Sequence, residues 1–163
     1  MKKIILLITI IILTNHRDAN AIRKIYYLGY SYSEETINGK NIQNHSIGHE
    51  FFFSDFDIGS NVHCFGLNYK FGDNGKMLTS HYLINPGYLK NLDILYVFMP
   101  TIGTNVSYNF DKKIWGIGPQ IDLINIVFIV LKFNITYRYN IYFQTDNSHE
   151  IGFTVSISDY FNL

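Results

Sequence analysis

The chain has 163 residues with 13 basic and 13 acidic side chains, so its formal charge is zero, and only 16% of its residues are charged. That balance argues against nucleic acid as a partner, because phosphate binding needs a basic surface. The length suits one domain, and 13 Tyr and 13 Phe against 3 Pro argue against disorder.

Residues 1–21 read as an address. Met1-Lys2-Lys3 is a positive start, Ile4 to Thr14 is an apolar run, and Ala19-Asn20-Ala21 is an A-x-A cleavage site, which together predict a secretory signal peptide cut after Ala21. The apolar run is shorter than the roughly 18 residues of a membrane-spanning helix. No Cys follows it, which excludes a lipoprotein anchor, and cleavage leaves residues 22–163 as one nearly neutral domain. That domain holds a single cysteine, Cys64, so no internal disulfide can form, and with nothing local to hold a base against its thiol or depress its pKa a packing role is expected.

From residue 22 onward the chain alternates with period two. Strands are predicted at 22–33, 44–53, 62–71 and 76–85, then from near Leu92 into 101–110, and at 115–122, 131–143 and 149–158. In 101–110, Ile102, Thr104, Val106, Tyr108 and Phe110 oppose Thr101, Gly103, Asn105, Ser107 and Asn109. In 131–143, Leu131, Phe133, Ile135, Tyr137, Tyr139, Ile141 and Phe143 oppose Lys132, Asn134, Thr136, Arg138, Asn140 and Tyr142. Asn38-Gly39 and Asn74-Gly75 are the pair favoured in type I′ hairpins, whose central residues need positive φ. A two-residue loop at Asn74-Gly75 would pair Phe71 with Leu78, Leu67 with Tyr82, and Asn68 with His81. A loop at Asp111 to Ile114 would pair Phe110 with Trp115 and Asn105 with Gln120. Alternation blurs between Ile121 and Leu131, where a tight turn near Ile124-Asn125 is placed. Asp55-Phe56-Asp57-Ile58-Gly59 starts like a calcium loop, but its twelfth position is Gly66 where Glu is needed, so a turn is expected.

The two faces differ in kind. A soluble barrel turns Lys, Glu and Asp to water on its polar face. Here that face is mostly Gly, Ser, Thr and Asn, which suits a narrow interior filled by small side chains, and the apolar face with its Tyr and Phe suits lipid. Tyr26, Tyr30, Tyr32, Tyr137, Tyr139 and Tyr142 are expected as interfacial girdle residues. The expected fold is therefore all-β: an antiparallel, up-and-down transmembrane β-barrel of eight strands, closed because lipid cannot satisfy an open edge.

In size, export signal and strand pattern the chain resembles the small eight-stranded outer-membrane β-barrels of Gram-negative bacteria. The resemblance implies the outer membrane as location, outer-membrane lipid as surroundings, and the barrel-assembly machinery as a partner. That class commonly ends in an alternating strand with an aromatic terminus. Phe153, Val155, Ile157, Phe161 and Leu163 keep the parity, while Asp159 interrupts it and the last residue is Leu.

By parity Glu50, Asp93, Asp122, Lys132, Arg138 and Glu150 point inward. Isolated buried charges are expensive, so these six are expected to form a paired interior charge network, with Glu50 and Glu150 facing Arg138 and Lys132. No catalytic, cofactor-binding or metal-ligating residue is assigned. His45 and Ser46 fall on opposite faces, and His45 and His49 are about 13 Å apart along one strand, too far to share an ion. Small outer-membrane barrels that deacylate lipid A use a His and a Ser two residues apart, and Ser80-His81-Tyr82-Leu83 is similar but has Leu83 in the serine position. The expectation is a structural or interaction protein. The alternatives are a membrane-embedded lipid-modifying enzyme and a soluble exported lipocalin-like barrel for an apolar ligand.

Overall fold

The computed structural model describes residues 23–54, 62–85, 100–127 and 131–158. Residues 1–22 with the expected signal peptide, residues 55–61, residues 86–99 with Leu92 and Asp93, residues 128–130 and residues 159–163 lie outside the described residues. Eight antiparallel strands follow in chain order: β1 (Arg23–Ile37), β2 (Lys40–Ser54), β3 (Val62–Gly72), β4 (Met77–Asn85), β5 (Thr101–Asn109), β6 (Ile114–Val127), β7 (Leu131–Tyr142) and β8 (Ser148–Ser158). Each pairs with the next, and β8 pairs back onto β1, so the barrel is closed.

Its faces are inverted relative to a water-soluble barrel. Buried inside are Ser33, Asn44, Ser46, Asn68, Thr79, Asn105, Ser107, Asn134 and Asn140 with several charges, while Leu28, Ile47, Leu67, Ile102, Ile117 and Ile151 are exposed outside. A small apolar plug of Tyr27, Phe52, Cys64 and Leu83 closes the interior where β1 and β3 begin and β2 and β4 end.

The other end carries the tight turns. Asn38-Gly39 has φ of 51° and 73°, as a type I′ turn requires, and joins Ile37 to Lys40. β1 and β2 run unbroken into this turn and are longer than the 22–33 and 44–53 expected, because the ladder carries on past Ser33 through Glu35 and back from Asn44 to Lys40.

Two registers differ from those expected, and both by two residues. β3 and β4 pair Leu67 with Ser80, Phe65 with Tyr82, Asn68 with Thr79 and Gly66 with His81. The turn is centred on Asp73-Asn74, closed by the Gly75 amide donating to the Gly72 carbonyl at 3.0 Å. Asn74 is drawn inside, where its amide donates to Glu35 Oε2 at 3.0 Å, and this outweighs the Asn-Gly preference. β5 and β6 pair Tyr108 with Trp115 and Asn105 with Gly118, because Asn109 Oδ1 accepts from the amides of Asp111 (3.0 Å) and Lys112 (2.9 Å) and so moves the four-residue loop one position back, to 110–113. A slip of two preserves the face of every side chain, whereas a slip of one inverts it.

The turn expected near Ile124-Asn125 is absent. Both residues lie within β6, which shifts register between Asp122 and Ile124, and this irregularity is what blurs the alternation there. Tyr142 is not a girdle residue: it is buried, and its hydroxyl donates to Glu35 Oε1 at 2.8 Å. Tyr26 and Tyr30 do face outward.

Candidate functional site

The chemistry of this molecule is inside the barrel, in two charge clusters stacked along its axis. Nearer the tight turns, Lys70 of β3 lies 3.0 Å from Glu35 Oε2 of β1 and 3.0 Å from Glu150 Oε1 of β8. Arg138 of β7 approaches Glu150 at 3.5 Å and donates through Nε to Gln120 at 2.7 Å. Two carboxylates thus meet two cations. Neutral donors complete the shell: Ser148 (2.5 Å) and Tyr142 serve Glu35 Oε1, Asn44 (3.2 Å) and Asn74 serve Oε2, and Ser33 (2.6 Å) serves Glu150. Ionised carboxylates accept such bonds with roughly twice the strength of neutral acceptors, which lets this cluster sit out of water.

Toward the apolar plug, Lys132 of β7 reaches across the lumen to pair with Glu50 of β2, and its ammonium also sits 4.5 Å from the centroid of the Phe52 ring. Glu50 Oε1 lies 3.5 Å from His81 Nε2, and that nitrogen lies 3.9 Å from Cys64 Sγ. Register explains the convergence. Glu50 pairs with Gly66, and Gly66 pairs with His81, so a residue without a side chain separates the two across the sheet. A Cβ at position 66 would fall on the His81 ring, so glycine there is what lets the imidazole lie over β3 toward Glu50. Asp122 is held by neutral donors, namely Thr136 at 2.8 Å, Asn134 at 3.1 Å and Gln120 at 3.2 Å.

Of the six residues expected in the network, Lys132 meets Glu50, Arg138 meets Glu150, and Asp122 takes its hydrogen bonds from neutral donors rather than from an ion-pair partner; Asp93 is outside the described residues. Glu35 and Lys70 were not in that set. Both were within reach of parity, since Glu35 continues the inward row of Tyr27 and Ser33 and Lys70 that of Asn68, but the predicted first strand stops at residue 33. His63, next to Cys64 in sequence, turns to the outer wall against Tyr82, and the fold brings a different base, His81, to the thiol inside.

On the outer wall three tyrosine hydroxyls meet imidazole Nδ1 atoms: Tyr30 with His45 (2.6 Å) and Tyr137 with His149 (2.6 Å) toward the tight turns, and Tyr82 with His63 (2.7 Å) toward the other end. The tight-turn rim is laced by side chains as well. Asn38 donates to Asp146 at 2.5 Å, and Asp111 accepts the Lys76 amide at 2.9 Å.

No protein-family model and no curated protein matches the chain. Among solved structures it is similar to the de novo designed protein TMB2.3, with 9% identity, 84% of this chain and 96% of that chain covered, and a TM-score of 0.36. It is also similar to Ail, the attachment invasion locus protein of Yersinia pestis, with 10% identity, 86% of this chain and 99% of that chain covered, and a TM-score of 0.27.

Proposed function

We propose that the chain is an outer-membrane β-barrel with a structural or interaction role, exported by its N-terminal segment and surrounded by outer-membrane lipid. The observation that carries this reading is the inversion of its faces. Leu28, Ile47, Leu67, Ile102, Ile117 and Ile151 form an apolar outer wall, while Glu35, Glu50, Lys70, Asp122, Lys132 and Glu150 are buried inside. Water would reverse that preference, since apolar exposure costs about 25 cal/mol per Å². Strands of 9 to 15 residues suit the 9–11 a tilted strand needs to cross hydrocarbon. The Tyr–His pairs near both ends suit the headgroup region, where amphipathic rings settle.

A non-catalytic role rests on the interior. Every inward charge described has a partner, and an eight-stranded barrel is just wide enough for its own side chains, so among the described residues the lumen holds neither an open channel nor a substrate cleft. Buried Leu83 occupies the place where a lipid deacylase has its serine.

Fractionating expressing cells and running the membranes on a detergent gel, boiled and unboiled, tests the reading. An outer-membrane band whose mobility shifts on heating is the expected result. Protein that stays in solution with no heat shift would refute it and favour a soluble ligand-binding barrel.

A further inference from the structure

We propose that Glu50, Cys64 and His81 bind one divalent transition-metal ion of the zinc class inside the barrel. The three side chains come from β2, β3 and β4, consecutive strands of the sheet, and all point to the same interior spot. One ligand atom from each lies within 4.8 Å of the others. Zinc bonds of about 2.3 Å to sulfur and 2.0–2.2 Å to nitrogen and oxygen place the edges of a tetrahedral site at roughly 3.3–3.8 Å. The Glu50–His81 separation of 3.5 Å already matches, the Cys64–His81 separation of 3.9 Å is close, and the third edge, Glu50 to Cys64, is within 4.8 Å and closes to this range by side-chain rotation of up to about 1 Å.

Charge and ligand chemistry point the same way. Lys132 is the lone cation paired in this cluster, yet both the Glu50 and the Asp122 carboxylates act on it, which leaves one negative charge in excess when His81 and the Cys64 thiol are neutral. Metal binding would release the thiol proton to solvent as the metal–sulfur bond forms. The resulting thiolate, two carboxylates, ammonium and divalent ion then sum to zero. Lys132 takes Oε2 of Glu50 and leaves Oε1, the oxygen that faces His81, for the ion. A thiolate with an imidazole and a carboxylate selects borderline-soft zinc over magnesium or calcium, which prefer oxygen alone. The geometry is the same whether lipid or water surrounds the outer wall.

The test uses the full chain purified in detergent, with folding of each variant verified by the heat-dependent gel shift. It is titrated with Co²⁺ alone, then with Zn²⁺. The expected result is one Co²⁺ per chain with thiolate-to-cobalt charge-transfer absorption that Zn²⁺ abolishes. Cys64→Ser should lose the absorption, and His81→Gln should weaken binding by at least about tenfold. Lys132→Met should strengthen binding, because it removes the cation that competes for Glu50. Folded wild-type protein without the absorption would overturn the proposal. So would an undiminished band in both His81→Gln and Glu50→Gln, which would reduce the event to a lone thiol.

Discussion

Lys70 Nζ and Glu35 Oε2 lie 3.0 Å apart and are almost fully sealed from solvent, although β3 and β1 are not neighbours in the sheet. The pair therefore ties two walls of the barrel through its lumen, as Lys132 and Glu50 do between β7 and β2. In a closed barrel the backbone ladder fixes each strand only to its two neighbours, and these ion pairs supply the bracing across the diameter.

That bracing makes the interior intolerant of a single removed charge. Lys70→Met leaves Glu35 and Glu150 with Arg138 alone, and the expected cost is about 3–5 kcal/mol, the usual penalty for one uncompensated buried charge. Adding Glu35→Gln should recover most of that loss by restoring a balanced Arg138–Glu150 pair. Denaturant unfolding of the wild type, both single variants and the double variant would measure the coupling.

The outer wall responds to charge according to its surroundings. Val106 faces outward in the middle of β5, and Val106→Arg is expected to cost about 2–4 kcal/mol in a bilayer. In a water-soluble barrel the same substitution would be nearly neutral, so refolding into vesicles at graded denaturant separates the two environments.

Gly66 is where the His81 ring needs space. Gly66→Ala should destabilise by about 1–3 kcal/mol through overpacking, and His81→Ala should relieve much of it in the double variant. Equal losses in Gly66→Ala with and without His81 would show that the ring is not the obstacle.

The turn residues divide by what their side chains touch. Asn74→Ala removes an amide that donates to Glu35 and an oxygen that accepts from Lys112 at 2.5 Å, so a loss of about 1–3 kcal/mol is expected. Gly39→Ala forces a Cβ into positive φ without touching another group, and about 1 kcal/mol is expected. Unfolding midpoints of the two variants should rank accordingly.

How much of this was legible beforehand follows from the range of each interaction. Strand number and the face of nearly every side chain are local properties, since successive residues on a strand point oppositely and composition marks which face is packed. This is why the β3–β4 and β5–β6 ladders could sit two residues from the expected register and still leave Asn68, Asn105 and Gln120 inside. The register itself depended on Asn74 reaching Glu35 and on Asn109 capping its loop, contacts spanning 39 residues in one case and three or fewer in the other. Propensity at Asn74-Gly75 had no access to the first.

The sequence by itself determined an eight-stranded barrel with small polar side chains on one face, because alternation and composition are written residue by residue. Only the tertiary structure decided that Glu50, Cys64 and His81 converge beside Lys132, and that Tyr142 turns inward onto Glu35. Those meetings depend on closure of the barrel and on strand stagger, which set which inward residues share a level, and no stretch of chain short enough to read for periodicity contains both partners.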